Sequence, residues 1–521
     1  MSKKNNKQEK IPIDEFIKIA MIKEEKEEKI KKILDTIPTY YFNDKYLIKD
    51  RDNIRINIFM LILKYTTNIK LVEILIDEKK FNVNFKGVDD GKTPLMLTQN
   101  VGIAELLINK GANVNAVDNH GKTPLMKTQN VEMAELLINK GADVNATDID
   151  GKTPLMLAQS VEMAELLINK KANVDAKSTG FLNSGETALM NAQSVKMAEL
   201  LIKSGANVNA IDNHGKTPLM KTQNIGIAEL LIDKGADVNA INIFGETALM
   251  NAQNVKMAEL LIKSGANVNI IDKLGRPVIY SAIFKDDIDI VKLLIENGAD
   301  INVVFKYIYK LPSEQSESEP EYAPPEESNF TPLLLAIILN RVDIVKYLIK
   351  NEKIILDSPT MSDPILTAIR YYGSQKNQEI SYKLLEILFS SGKIKENNNI
   401  SIALQRVVKH AFHESDAKPE RELKLNIIRL LFENGADPNY KISESSESSY
   451  EIATRLHRED ILNIFNKTET KDGKRKSIKS KRKSKRKSKR KSKRKSKRKS
   501  KRKSKRKSKR KSKSKRKSKR K

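Results

Sequence analysis

The chain holds 521 residues, with 96 Lys and Arg against 66 Asp and Glu and a formal net charge of +30. It has neither Cys nor Trp. That excludes a disulfide framework, a thiolate zinc site and a cysteine nucleophile, and it fits a reducing, intracellular compartment, cytoplasmic or nuclear.

The charge is unevenly placed. Residues 474–521 carry 35 of the basic residues and no acid, which leaves 61 basic against 66 acidic residues in the body. Any inference from basicity to partners concerns this tail alone. The opening "MSKKNNKQEK" has no apolar segment behind it, so no secretory leader is expected. The longest clean apolar run, "PLLLAIIL" (332–339), is far short of a membrane span, and no membrane insertion is expected.

In chain order, residues 1–50 begin polar and continue into "IDEFIKIAMIKEEKEEKIKKILDTI" (13–37), whose periodicity predicts one amphipathic helix. It is read as a cap on the first unit of the chain, with a partner-binding helix as the alternative. Residues 51–88 hold a degenerate unit with "VEILIDEKKFNVNF".

A repeated phrase then dominates. "DNHGKTPLMKTQN" occurs at 118–130 and again, unchanged, at 212–224. Glycines recur at Gly91, Gly121, Gly151, Gly185, Gly215, Gly245 and Gly275, every 30 residues except for one step of 34. A fixed period in this range indicates a stacked array. Each unit reads the same way. Asp118 to Gly121 is a turn. Thr123 is an N-cap and Pro124 a first helical residue. "LMKTQ" is a short helix that Asn130 breaks, and "VEMAELLINK" is a second helix with Val131, Ala134, Leu137 and Ile138 as its buried face. Gly141 is a left-handed stop. Helices this short do not persist alone in water, so neighbouring units must supply one another's core.

These residues carry a resemblance. The pattern "G-x-TPL … AELLI-xx-GA-x-VNA" resembles the ankyrin repeat over roughly 89–302, and again at 329–350 and 427–440. The resemblance implies an all-α fold, a solenoid of about ten to twelve helix–turn–helix units with projecting finger turns. This chain departs from the family pattern in three ways. Met96, Met126, Met156, Met190, Met220 and Met250 stand where the family has histidine. The six units between 89 and 271 lack about three residues between their helices, which predicts a tighter turn. Lys171 replaces the expected stop glycine, at a cost of about 1 kcal/mol if left-handed. The Lys/Asn/Ile-rich wording and the tail also resemble ankyrin proteins of giant DNA viruses, AT-rich intracellular bacteria and protists.

Residues 303–328 interrupt the array with an acidic, Pro- and Ser-rich insertion, and "SESSESSYE" (443–451) is a second acidic patch. Both read as solvated segments, with docking of the basic tail as the sharper alternative. Residues 329–470 hold further degenerate units, closed by "YEIATRLHREDILNIF". Residues 471–521 are nearly pure K-R-K-S, too polar to bury a core. Polyanion binding through residues such as Lys481, Arg482, Lys483, Lys485, Arg486 and Lys487 needs only charge density. Nuclear import, an anionic membrane surface and a neutral repeat expansion remain open beside it.

No catalytic chemistry is legible. The five histidines are His120, His214, His410, His413 and His457, and none sits in a metal-binding or acid–base pattern. No phosphate-binding loop, nucleophile elbow or zincin motif occurs. No enzyme, cofactor, metal or small-molecule substrate is expected. The resemblance implies a protein-binding scaffold whose contacts come from finger tips and the first helix. Carried over by position, the candidates are Asn119, His120 and Lys122; Ile149, Asp150 and Lys152; Asn213, His214 and Lys216; Ile243, Phe244 and Glu246; and Lys273, Leu274 and Arg276. On the first helix, Leu97, Lys127, Leu157, Asn191, Lys221 and Asn251 form one row, whose Lys and Asn suggest an exposed groove. The family's finger asparagines, here Asn115, Asn145, Asn209, Asn239 and Asn269, are hydroxylated in some related repeats.

Overall fold

The computed structural model describes residues 13–21, 27–42, 47–49, 54–180, 185–307, 328–356, 363–369, 375–394, 398–409 and 418–466. The basic tail, most of the acidic insertion, His410 and His413 lie outside the described residues. The chain divides into two compact units, 1–306 and 307–521. Among the described residues, no helix is long and apolar enough to cross a membrane.

In the first unit, the segment read as one helix over 13–37 contains two, Ile13–Ala20 and Glu27–Asp35. The first packs on Ile58–Tyr65 and the second on Ile69–Asp77. Phe16, Ile17, Ala20, Ile30 and Leu34 are buried there. The helix Ile58–Tyr65 is buried over its first six residues, which a single neighbour could not achieve.

The repeats follow as pairs of helices. Second helices are nine residues each: Val101–Asn109, Val131–Asn139, Val161–Asn169, Val195–Lys203, Ile225–Asp233 and Val255–Lys263. Each opens on a side-chain cap. Asn130, expected as a breaker, is the N-cap of Val131–Asn139, and its Oδ1 accepts the Met133 amide at 2.9 Å. The buried face also differs from expectation. Met133, Ala134 and Leu137 are buried, whereas Val131 and Ile138 are only half-buried. The flexible thioether fills the joint between units that two branched side chains were expected to fill.

The first helices show what the missing residues cost. Where the spacing between helices is full, Val278–Phe284 and Pro332–Ile338 run seven residues. In the shortened units the first helix shrinks to one turn, at Pro94–Leu97, Pro124–Lys127, Pro154–Leu157 and Pro218–Lys221. An extended link then leads to the second helix, as at residues 128–130. The deletion thus shortens the helix instead of tightening the turn. Where Ala replaces Pro, even that turn is lost: Leu189–Asn191 is a 3-10 turn and residues 248–251 form a plain turn. Proline's preset φ is what holds the single α-turn. Thr123 caps it, accepting the Met126 amide at 3.4 Å.

The second unit is built from Pro332–Ile338, Val342–Lys350, Pro364–Ala368, Gln375–Ser390, Asn398–Lys409, Lys418–Glu433, Ser449–Arg455 and Glu459–Asn466. Every residue of Pro332–Ile338 is buried. The rings of Phe432 and Phe465, 5.4 Å apart, join the last two helix pairs. The fold is the helix-rich repeat array that the period predicts.

Candidate functional site

From Asp118 onward, each finger is built on one buried side chain. The Asp118 carboxylate accepts the amides of His120 at 2.9 Å and Lys122 at 2.8 Å, and the turn closes with Gly121 N–H on Asp118 C=O at 3.0 Å. Asp148, Asp212 and Asp272 repeat this arrangement, and Asn242 repeats it as an amide. At Ser178 and Asn242, where the base is not an aspartate, a glutamate follows at Glu186 and Glu246 in place of Lys or Arg.

Successive tips are tied together through their backbones. Asn119 donates to Asp90 C=O at 3.0 Å, Ile149 to His120 at 3.1 Å, Ile243 to His214 at 2.8 Å and Lys273 to Phe244 at 2.8 Å. The approach is close enough that a Cβ on Gly121, itself at φ +72°, would lie 2.8 Å from the Ile149 nitrogen.

A second row of bonds runs behind the tips. Asn115 donates its side-chain amide to Gly141 C=O at 2.9 Å and accepts the Asp143 amide at 2.8 Å. Asn145, Asn209, Asn239 and Asn269 do the same to the unit that follows each. The finger asparagines are therefore inter-repeat staples. The row is incomplete at Asp175, which accepts the Asn207 amide at 2.9 Å but has no amide to donate.

On this frame, Asn119, His120, Asp150, Asn213, His214 and Phe244 project into solvent, and Lys122, Lys152, Lys216 and Glu246 are half-buried at the finger bases. Phe244 is 48% exposed. On this and the flanking fingers, Ile211, Ile241, Ile243, Ile271 and Leu274 are also exposed. Three of these, Ile211, Ile241 and Ile271, occupy one position, just before the finger base. The apolar letter holds at this position through three successive units, interrupted only upstream by Thr147 and Lys177, and is a periodic signal legible in the sequence.

In the first-helix row Asn191 is exposed as expected, but the lysines are not. Lys127 and Lys221 are half-buried. Lys127 pairs with Asp118 of its own finger at 2.7 Å, and Lys221 pairs with Glu186 of the preceding unit. Burial works to raise the Asp118 pKa. The Lys127 ammonium and the Lys122 and His120 amides overcome it and hold the carboxyl below its usual value. Further along, Arg276 bonds Asp272 at 2.6 Å and lies over the Tyr280 ring, which stacks on Phe284 at 5.9 Å. His120 and His214 are exposed, and among the described residues no group of three potential ligands gathers for a metal.

The family model described as "Ankyrin repeats (3 copies)" matches residues 59–148, 98–178, 126–212, 177–242 and 221–304, and that for "Ankyrin repeat" matches 328–359. A solved structure similar to part of the chain is the ankyrin repeat domain of Bcl-3, described as a unique member of the IkappaB protein family. It is 26% identical and covers 39% of this chain and 97% of its own, with a TM-score of 0.35. No curated protein matches. Matched over more than half its length, the chain belongs to the ankyrin-repeat family, whose repeats generally mediate protein–protein interaction and typically act as non-enzymatic scaffolds.

Proposed function

We propose that this chain is a non-enzymatic adaptor that grips a protein partner with its finger tips, and that its basic tail localises it or binds a polyanion. The observation that carries the first half is the row of tips. Asn119, His120, Asp150, Asn213, His214 and Phe244 are exposed on turns already fixed by backbone bonds to their neighbours. A partner that meets such a row has little ordering entropy to overcome. Phe244 is its anchor, a large apolar side chain among exposed isoleucines, and aromatic anchors often dominate interfaces.

The tail supports a second reading. Its 35 basic residues without an acid suit sequence-blind binding to nucleic acid, and Lys481, Arg482, Lys483, Lys485, Arg486 and Lys487 typify it. On that reading the array spaces or anchors the tail, and the compartment is cytoplasmic or nuclear according to what the tail finds.

A paired capture from cell lysate separates the two. The full chain and one ending at Gly473 are compared with and without nuclease, at low and high salt. A discrete protein that survives nuclease, salt and loss of the tail supports the adaptor. Capture confined to the full chain, and lost with nuclease or salt, rejects it in favour of the tail.

A further inference from the structure

Between the repeat that begins at Gly151 and the one that begins at Gly185 lies an open cleft of about 530 Å3. It coincides with the one 34-residue step in the period. Side chains bridge two comparable junctions. Gln129 donates to Leu157 C=O at 3.4 Å and accepts the Gln159 amide at 3.3 Å, and Gln223 donates to Asn251 C=O at 3.4 Å. At the cleft, Gln159 makes no such bridge among the described residues, and its side chain lines the opening.

The polar walls are unequal in charge. On one side is Lys152, half-buried, whose ammonium has no acidic partner among the described residues. On the other is Glu186, which is already spent: Lys221 holds one of its oxygens, and Asn191 donates to the other at 3.3 Å. The net uncompensated charge is positive. Gln159 and Gln193 add amide groups to the walls, and Met156 and Met197 help to line the cleft. A half-buried cation beside amide donors favours an anion. One lysine with no arginine matches a carboxylate better than a doubly charged phosphate, which recruits several cations or a bidentate guanidinium.

The geometry points to this cleft as the seat of an Asp or Glu side chain, carried on an extended acidic segment of a protein partner. Lys152 pairs with the carboxylate. The amides of Gln159 and Gln193 take the adjoining main chain, as Gln129 takes the main chain of its neighbour. This inference rests on the protein-binding reading and names the chemistry of one partner segment.

The probe is the peptide acetyl-Gly-Glu-Bpa-Glu-Gly-amide, where Bpa is the photoreactive p-benzoylphenylalanine, with a twin carrying Gln for Glu. Each is irradiated with the full chain at physiological salt, and adducts are mapped by mass spectrometry, which separates the cleft from the basic tail. Adducts are expected at 155–159 and 192–201, Met156 and Met197 among them. Their yield should fall roughly tenfold with the Gln twin, and equally with Lys152→Glu. Thermal melting of Lys152→Glu checks that the array still folds, and the Gln twin gives the same test on the unaltered chain. Adducts only outside the cleft, or cleft adducts indifferent to both changes, would overturn the inference. If protein capture through Phe244 persists in that case, the protein-binding reading stands while the cleft assignment falls.

Discussion

The side-chain amide of Asn239 donates to the main-chain carbonyl of Gly265 at 3.0 Å, while its oxygen accepts the amide of Asn267 at 2.8 Å. One side chain thus satisfies two backbone groups of the next repeat. Asn239→Asp keeps the acceptor and loses the donor, which is the state found naturally at Asp175. The converse change, Asp175→Asn, should strengthen its junction by about 1 kcal/mol. A long array does not melt as one unit, so the readout is local. Amide exchange at Asn207 should slow in Asp175→Asn, and exchange at Asn267 should quicken in Asn239→Asp. Unchanged exchange at both sites would show the staples to be idle.

The stop positions allow a controlled test of backbone strain. Lys171 takes φ +69°, in the series where Gly111, Gly141, Gly205, Gly235 and Gly265 lie between +86° and +95°. Lys171→Gly should stabilise its repeat by about 0.5–1 kcal/mol, the left-handed penalty less the entropy that glycine adds to the unfolded chain.

Alanine at two other glycines separates strain from crowding. A Cβ on Gly141 meets nothing within 4 Å, so Gly141→Ala bears the backbone cost alone. Gly121→Ala adds a 2.8 Å approach to the Ile149 nitrogen and must push neighbouring fingers apart. Gly121→Ala should therefore cost its repeat more local protection, read as faster amide exchange, than Gly141→Ala costs the same repeat. Equal losses would mean that the tips are less tightly tied than their bonds imply.

How much of this was legible depends on whether the signal was local. Thr123 and Pro124 define the start of a helix within two letters, and both do what those letters suggest. Asn130 was read as a breaker because asparagine ends helices as readily as it caps them; its role depends on which helix its side chain faces. Lys127 shows a harder limit. A lysine on a short helix reads as solvated, yet its partner Asp118 lies nine positions back, across the turn, and the finger geometry brings them together. The asparagine staples span 26 or more residues, so only the period hinted at them. The cleft beside Lys152 falls at the irregular step, which the sequence shows as a count and not as a shape.

The Lys127–Asp118 pair also sets an acid response. The carboxyl sits below its usual value when folded, so its contribution to stability is full above the unfolded value of about 3.9 and is lost as pH falls through the folded value. Lys127→Met removes the counter-ion, raises that folded value and leaves a buried carboxylate short of a partner, at about 1–3 kcal/mol. Circular dichroism against pH should show the variant losing structure at higher pH than the parent. Parallel curves would mean that the two amides alone hold the charge.

Phe244 divides stability from recognition. Its side chain is exposed and contributes little to the core, so Phe244→Ala should change stability by less than about 0.5 kcal/mol. Capture of a protein partner should fall at least about tenfold if the side chain is an anchor. Full capture with Phe244→Ala would move the recognition surface elsewhere on the array.

The Glu186–Lys221 pair has a further consequence for how the chain finds its fold. The stretches 185–209 and 245–269 differ only at Ser194 and Asn254. Yet Glu186 is met by Lys221 from the next unit's first helix, and its counterpart Glu246 by Arg276 from the next unit's finger base. Two nearly identical surfaces thus accept different neighbours. Surface complementarity is a poor guide to which repeat stacks where, and a mis-stacked array that loops out two whole units would bury much of the same area. Correct order must come from the shortness of the links, which hold each unit at high effective concentration beside its true neighbour. Near-identity of the repeats thus hands the proofreading of their order to the tether.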